Sequence, residues 1–238
     1  MMENIAKLQK IIDQTDNIVF FGGAGVSTES NIPDFRSEDG IYNQKFDYPP
    51  EVMLSHSFYE NNTNKFFQFY RTMLYPNAQP NAAHLKLAQW EKEKKLKAIV
   101  TQNIDGLHQK AGSKNVYELH GSVKRNYCEK CHRFYDENVV LATQGVPHCQ
   151  CGGIIKPDVV LYEESLDNQV INGACQAIAN ADVLIVGGTS LVVYPAAGLI
   201  NYYKGNKLIL INRDQTPYDN KADLIFNQSI GSIFSQLK

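Results

Sequence analysis

No apolar run in this sequence approaches the ~20 residues that a membrane-spanning helix needs. The first residues, Met1-Met2-Glu3-Asn4-Ile5-Ala6-Lys7, lack the basic and then apolar order of a secretory leader. An excess of one charge is also missing: 23 Lys and Arg stand against 25 Asp and Glu, a net charge of -2. That disfavours a strongly basic binder of nucleic acid or membrane surfaces. Low-complexity tracts and internal repeats are absent. Cysteine is scarce and odd in number, five in 238 residues, and four of the five crowd between Cys128 and Cys151. Such a set suits a metal site better than a disulfide framework. The expectation is a soluble, cytoplasmic globular protein with no membrane or specific nucleic-acid partner.

Against these absences, several short apolar runs stand out. Ile18-Val19-Phe20-Phe21 runs into Gly22-Gly23-Ala24-Gly25. Similar runs occur at Ala98-Ile99-Val100-Thr101, Val183-Leu184-Ile185-Val186-Gly187-Gly188 and Leu208-Ile209-Leu210-Ile211-Asn212, with Asp223-Leu224-Ile225-Phe226 as a weaker fifth. Bounded by turn residues, they read as buried strands. Helical spacing lies between them. Ile5, Leu8, Ile11 and Ile12 share a face over Asn4–Gln14; Asn81 caps a helix reaching Glu93, and Asp167 one reaching about Ala179. Cys175 sits at helical spacing with Ile171, Ala174 and Ile178, an apolar role. Ile230, Ile233, Phe234 and Leu237 form a closing stripe. This alternation predicts a doubly wound, Rossmann-like parallel α/β sheet, with ligands at the carboxyl ends of the strands.

Two stretches interrupt the pattern: Asp34–Gln79, rich in Phe and Tyr and read as a loop plus small helices, and Gly121–Pro157, which holds the cysteines. The expected division is therefore a nucleotide-binding domain of residues 1–33, 80–120 and 158–238, and a small domain of 34–79 and 121–157.

The cysteines read Cys128-Glu129-Lys130-Cys131 and, after 17 intervening residues, Cys149-Gln150-Cys151. Two close pairs joined by a loop can place four thiolates around one zinc ion, and a closed thiolate shell makes that zinc structural. His132 and His148 stand beside them, so three cysteines and one histidine is the minor alternative. Gly22-Gly23-Ala24-Gly25-Val26-Ser27 follows a strand, where glycines let backbone N–H groups approach a phosphate. The third glycine of the dinucleotide fingerprint is missing, and no second strand ends in an acidic residue ~20 positions on, which disfavours an ordinary hydride-transferring dehydrogenase.

Further along come Ile32-Pro33-Asp34-Phe35-Arg36-Ser37, then Thr101-Gln102-Asn103-Ile104-Asp105-Gly106-Leu107-His108, Glu118-Leu119-His120-Gly121, and Gly188-Thr189-Ser190-Leu191-Val192-Val193-Tyr194-Pro195. In this order, with a four-cysteine module after the His-Gly, the chain resembles the sirtuin family of NAD-dependent protein deacylases from about Val19 to Ile230. Its undivided Thr189–Ala196 stretch is similar to the compact bacterial members.

That resemblance implies removal of acyl groups, chiefly acetyl, from lysine side chains of a protein or peptide partner. The products would be nicotinamide, free lysine and O-acyl-ADP-ribose. Physically, backbone donors at Ala24 and Gly25, with Ser27 or Thr28, suit a pyrophosphate. Arg36 offers charge, and Phe35 an aromatic shield for a reactive sugar carbon. The resemblance puts Asn103 and Asp105 near the nicotinamide ribose and carboxamide, with Gln102 converging there and Ile104 lining the nicotinamide pocket. Thr189 and Ser190 would meet phosphate or ribose, Asn212 the adenosine ribose, and Ile230 the adenine. His120 is the expected general base, since a neutral imidazole accepts a proton near pH 7. Asp105 could instead merely cap the following helix, and His108 hold local structure; His56 and His84 have no assigned chemistry.

The stretch Pro157–Glu163 is assigned by the resemblance to pairing with the substrate backbone. There Glu163 replaces a usual glycine, and Asn31 replaces another before Ile32-Pro33. Family members acting on succinyl or malonyl groups carry a Tyr-x-x-Arg pair; this chain has Tyr70 but Met73, with Arg71 expected to point away. The rival readings are an ADP-ribosyltransferase or NAD glycohydrolase using the same site, and a zinc-ribbon binding module without chemistry.

Overall fold

In a computed structural model, residues 2–35, 40 and 46–238 are described. The runs that the apolar pattern marks form a six-stranded sheet. Its strands are β1 (Ile18–Gly22), β2 (Leu96–Thr101), β3 (Val116–Glu118), β7 (Val183–Gly187), β8 (Lys207–Ile211) and β9 (Leu224–Phe226). All are parallel, in the order β3-β2-β1-β7-β8-β9. Strand period two sorts the side chains to the two faces. Ile18, Phe20, Ile99, Ile185 and Ile209 enter one core with α1 (Met2–Asp13), α5 (Ala82–Lys92) and α9 (Ile230–Phe234). Val19, Phe21, Val100, Leu184 and Leu210 enter the other, with α8 (Asn168–Asn180) and the 3₁₀ segment Ala196–Tyr202. Cys175, half-buried, packs against this second core. Burial on both faces is why these strands read as continuous apolar runs.

The caps sit where the sequence places them. The Asn81 side chain accepts from the Ala83 and His84 amides, and the Asp167 side chain from those of Gln169 and Val170. After β2, α6 (Leu107–Ala111) leads to β3, a strand too short to show in the pattern.

The segment before α5 folds into α2 (Pro50–Met53), α3 (His56–Asn61) and α4 (Thr63–Thr72). The cysteine stretch forms an antiparallel sheet ordered β5-β4-β6, from β4 (Gly121–Cys128), β5 (Phe134–Tyr135) and β6 (Ile155–Val159), with α7 (Asn138–Ala142) beside it. Phe58, Tyr59, Phe66, Phe67, Phe69 and Tyr70 of α3 and α4 share one buried cluster with Val123, Val140 and Val159 of this module. The two interrupting stretches thus cover each other's apolar surface. β6 stays paired with β4 through Val159, so this sheet runs past the boundary expected at 157/158. No helix among the described residues is long and apolar enough to cross a membrane.

Candidate functional site

Strand order reverses between β1 and β7, and the loops leaving these two strands meet there. The Gly25 amide donates to the Gly188 carbonyl at 2.8 Å. A β-carbon on Gly25 would stand 2.8 Å from Gly188 Cα, and one on Gly188, itself at φ +59°, only 2.4 Å from Val26 N. The glycines therefore serve backbone-on-backbone packing. This corrects the expectation of a free donor at Gly25, whose N–H is already spent. The turn is two 3₁₀ segments, Ala24–Val26 and Thr28–Ser30, rather than the start of an α-helix. Asn31 closes it at φ 61°, a conformation that asparagine tolerates in glycine's place.

Around this turn the predicted polar residues form one network. Ser27 Oγ donates to Asp105 Oδ2 at 2.6 Å and accepts from Asn103 Nδ2 at 3.1 Å. The other Asp105 oxygen accepts from the Leu107 amide at 2.8 Å, so Asp105 both starts the following turn and faces the glycine loop. Gln102 Nε2 donates to Thr189 Oγ1 at 3.0 Å, and the Leu191 amide does so at 3.3 Å. With its lone pairs so engaged, the Thr189 hydroxyl has its proton to offer a ligand. Thr28 Oγ1 donates to the Gly25 carbonyl at 3.0 Å, and Asn212 Nδ2 to the Asp214 carbonyl at 2.9 Å.

His120 Nδ1 lies 2.9 Å from the Gln102 carbonyl. A carbonyl only accepts, so Nδ1 carries the hydrogen and Nε2 keeps the lone pair. Burial favours the neutral imidazole and holds the His120 pKa below the ordinary histidine value, against the opposing pull of that carbonyl. The adjoining Gly121 is at φ +75°, and a β-carbon there would lie 2.0 Å from the Asp158 carbonyl oxygen. The His-Gly pair is thus fixed by β6 pressing on the backbone beside the base.

All the residues proposed for the cofactor, Arg36 aside, line one cavity of about 450 Å³; Arg36 lies outside the described residues. Phe35 and Ile104 pack half-buried on the aromatic cluster at its edge. Ile230, almost fully buried, borders the cavity from α9. The same wall includes residues the sequence did not flag as site residues, among them Tyr75, Lys124, Glu137 and Arg213. Glu29 also escaped notice, although its carboxylate takes the Gly231 amide at 2.7 Å and the Ser229 hydroxyl at 3.1 Å, pinning α9 beside the glycine loop.

Met73 lines the cavity, whereas the Arg71 side chain is turned away, donating to the carbonyls of Val140, at 2.8 Å, and Gly145. The Tyr70 ring stacks on Phe66 with its hydroxyl buried, and Tyr70 is not among the lining residues. Glu163 keeps a glycine-like φ of +77°, and its carboxylate accepts from the Ser57 amide at 2.8 Å and the Ser57 hydroxyl at 2.9 Å, locking the loop to α3. Past β6 the amides of Val160, Leu161 and Tyr162 donate to the His120 carbonyl, Glu164 and the Leu54 carbonyl. The pairing expected over Pro157–Glu163 therefore cannot use those three donors.

The four cysteines converge. All four Sγ atoms lie within 4.8 Å of one another, with Cys128–Cys151 at 3.4 Å and Cys131–Cys149 at 3.6 Å. A tetrahedral zinc with bonds near 2.3 Å needs sulfurs about 3.8 Å apart, and a disulfide about 2.05 Å. The set fits zinc and contains no disulfide; neither His132 nor His148 joins it. The Tyr135 hydroxyl donates to Cys149 Sγ at 3.0 Å, a contact suited to a thiolate.

A doubly wound sheet with a glycine crossing at its switch point and a four-thiolate module defines a nucleotide-binding α/β protein carrying structural zinc. The model of the Sir2 family matches residues 23–195. A Clostridium acetobutylicum protein named NAD-dependent protein deacetylase is 63% identical over 238 residues, covering 98% of this chain and 97% of that protein. One of the same name from Clostridium perfringens is 62% identical over 242 residues, covering 100% and 99%. A solved Sir2 structure with p53 peptide and NAD+ superposes with a TM-score of 0.86 at 36% identity, covering 98% of this chain and 96% of that one. Another, with deacetylated p53 peptide and an O-acetyl ADP ribose, has a TM-score of 0.90 at 34% identity and the same coverage. The chain belongs to the Sir2 family.

Proposed function

We propose that this protein uses NAD to remove acyl groups, chiefly acetyl, from lysine side chains of proteins. The observation that carries the reading is the single cavity joining the His120 base, its tautomer set by the Gln102 carbonyl, to the Gly25–Gly188 crossing. NAD, when bound, supplies a glycosidic bond whose cleavage releases nicotinamide and leaves ADP-ribose to take the acyl group. The Ala24 amide and the hydroxyls of Thr189 and Ser190 would hold its phosphates and riboses, with Thr28 bracing the turn through the Gly25 carbonyl and Arg36 adding charge; Asn212 and Ile230 would hold its adenosine end. Gln102, Asn103 and Asp105, tied together through Ser27 and Thr189, orient the nicotinamide end against Ile104. Phe35, in the cavity wall, would shield that end from water, which charge development at a sugar carbon needs. His120 Nε2, left with its lone pair, would accept the proton of a ribose hydroxyl. Met73, uncharged in the cavity wall, favours neutral acyl groups.

The same reading divides the chain into a nucleotide-binding domain (1–33, 80–120, 160–238) and a small domain (34–79, 121–159), its last boundary moved past the end of β6 and its unity supported by the shared aromatic cluster of the two interrupting stretches. It also places the protein in the cytoplasm, where a reducing compartment suits four free thiols around a metal. The test is incubation with NAD and an acetyl-lysine peptide, followed by mass spectrometry. Nicotinamide and O-acetyl-ADP-ribose that form only with peptide present are expected. Nicotinamide without peptide, or ADP-ribose attached to the protein, would favour a glycohydrolase or ADP-ribosyltransferase.

A further inference from the structure

Lys124 and Glu137 line the same cavity as His120, Ile104 and Met73. Lys124 follows Val123, whose amide donates to the Ile104 carbonyl at 2.9 Å. Its stem lies across Gly106: a β-carbon there would stand 3.0 Å from Lys124 Cγ. The ammonium donates to both carboxylate oxygens of Glu137 at 2.7 Å, and the Glu137 side chain is only 18% exposed. Glu137 immediately precedes α7, which Arg71 clamps against the end of α4 through the Val140 carbonyl. Met73 caps that same end of α4. The ion pair and Met73 therefore belong to one wall, where α4, α7 and β4 meet. With Arg71 turned out and Met73 neutral, the charge on this wall is Lys124, balanced by Glu137.

We infer that Glu137 is a specificity-determining residue: by occupying Lys124 it closes this wall to acyl groups that end in a carboxylate and leaves it open to neutral ones. The inference rests on the deacylase reading. A carboxylate-ended acyl group gives up water on entering and needs a cation in exchange. Lys124 is such a cation, on a flexible four-carbon stem, but both oxygens of Glu137 already hold it. Glu137 would also repel the incoming charge.

The experiment compares kcat/KM on succinyl-lysine and acetyl-lysine peptides of one sequence, with thermal midpoint and zinc content checking each variant. Glu137→Gln should raise the succinyl-to-acetyl ratio at least about tenfold, equivalent to 1.4 kcal/mol, and Lys124→Met added to it should cancel the gain. Lys124→Met alone, which leaves Glu137 unopposed, should lower the ratio; this arm stands even if Glu137→Gln does not fold. Binding of the two peptides without NAD, read by fluorescence anisotropy, should shift in the same directions. An unchanged ratio in folded Glu137→Gln, a gain that survives loss of Lys124, or a rise in Lys124→Met overturns the inference. A wild-type protein inert toward acetyl peptide and NAD would instead overturn the deacylase reading.

Discussion

At the scale of single residues, His120 carries the sharpest prediction. A positioned base contributes roughly 10²–10⁴-fold to turnover, so His120→Ala should lose that much while NAD affinity, read by calorimetry, changes little. Near-normal turnover would mean that another group moves the proton. Because burial lowers the His120 pKa, the acid limb of the pH–rate profile should lie below pH 6.5 rather than at or above it. Asn81 offers a second test. Its Oδ1 caps α5, while its Nδ2 donates to the Val26 carbonyl at 2.8 Å and Ser30 Oγ at 3.0 Å, steadying the turn that presents Ser27 and Thr28. Serine keeps the cap but loses both donors. Asn81→Ser should therefore raise the KM for NAD several-fold with the melting temperature nearly unchanged; an unaltered KM would show that the turn stands without Asn81.

At the scale of elements, the cysteine module depends on its metal. Its own buried cluster is Cys128, Cys149 and Ile155, with Tyr135 and Val139 packed on it, so metal binding energy must supply much of its folding energy. Cys128→Ser should release zinc, read by atomic emission, and expose β4–β6 to proteolysis; full metal content in that variant would disprove the four-cysteine assignment. These elements also show what was legible in advance. Strands buried on both faces announced themselves as apolar runs, and Asn81 and Asp167 announced their helices by capping chemistry. β3, with Val116, Tyr117 and Glu118 all half-buried, carries no such signal. β4 hides because an irregular register between Ser122 and Asn126 breaks the period-two alternation, leaving Lys124 and Arg125 side by side after buried Val123. The site residues were legible as motifs. Their mutual bonds were not, since Ser27 and Asp105 stand 78 positions apart. The loss of Gly25's free donor likewise depends on Gly188, a partner in another strand loop.

At the scale of the whole molecule, acid sensitivity follows from buried imidazoles. Burial holds His84 down to about 4, with Asp105 pulling the other way. It holds His108 well below the usual histidine value, helped by neighbouring His84, and lowers His120 too. Their unfolded counterparts take up protons near pH 6.5, so the unfolded state binds more protons as pH falls below that value. The stabilisation these groups support is complete above pH 6.5 and lost as the pH drops toward 4. Half-buried His56, raised by its hydrogen bond to Glu164, runs opposite, but its side chain is 42% exposed and the effect is screened by solvent. The melting temperature should fall between pH 7 and pH 5; a flat profile would contradict it. The sequence also has a single tryptophan, Trp90, fully buried in α5 with its ring 5.0 Å from that of Phe234. That packing makes the molecule its own two-channel optical gauge. Tryptophan emission reports on the six-stranded sheet alone, blue-shifted while that core is dry, whereas Tyr127 and Tyr135 sit in the cysteine module. Stripping zinc with a chelator should thus perturb tyrosine absorbance and leave the tryptophan spectrum where it was.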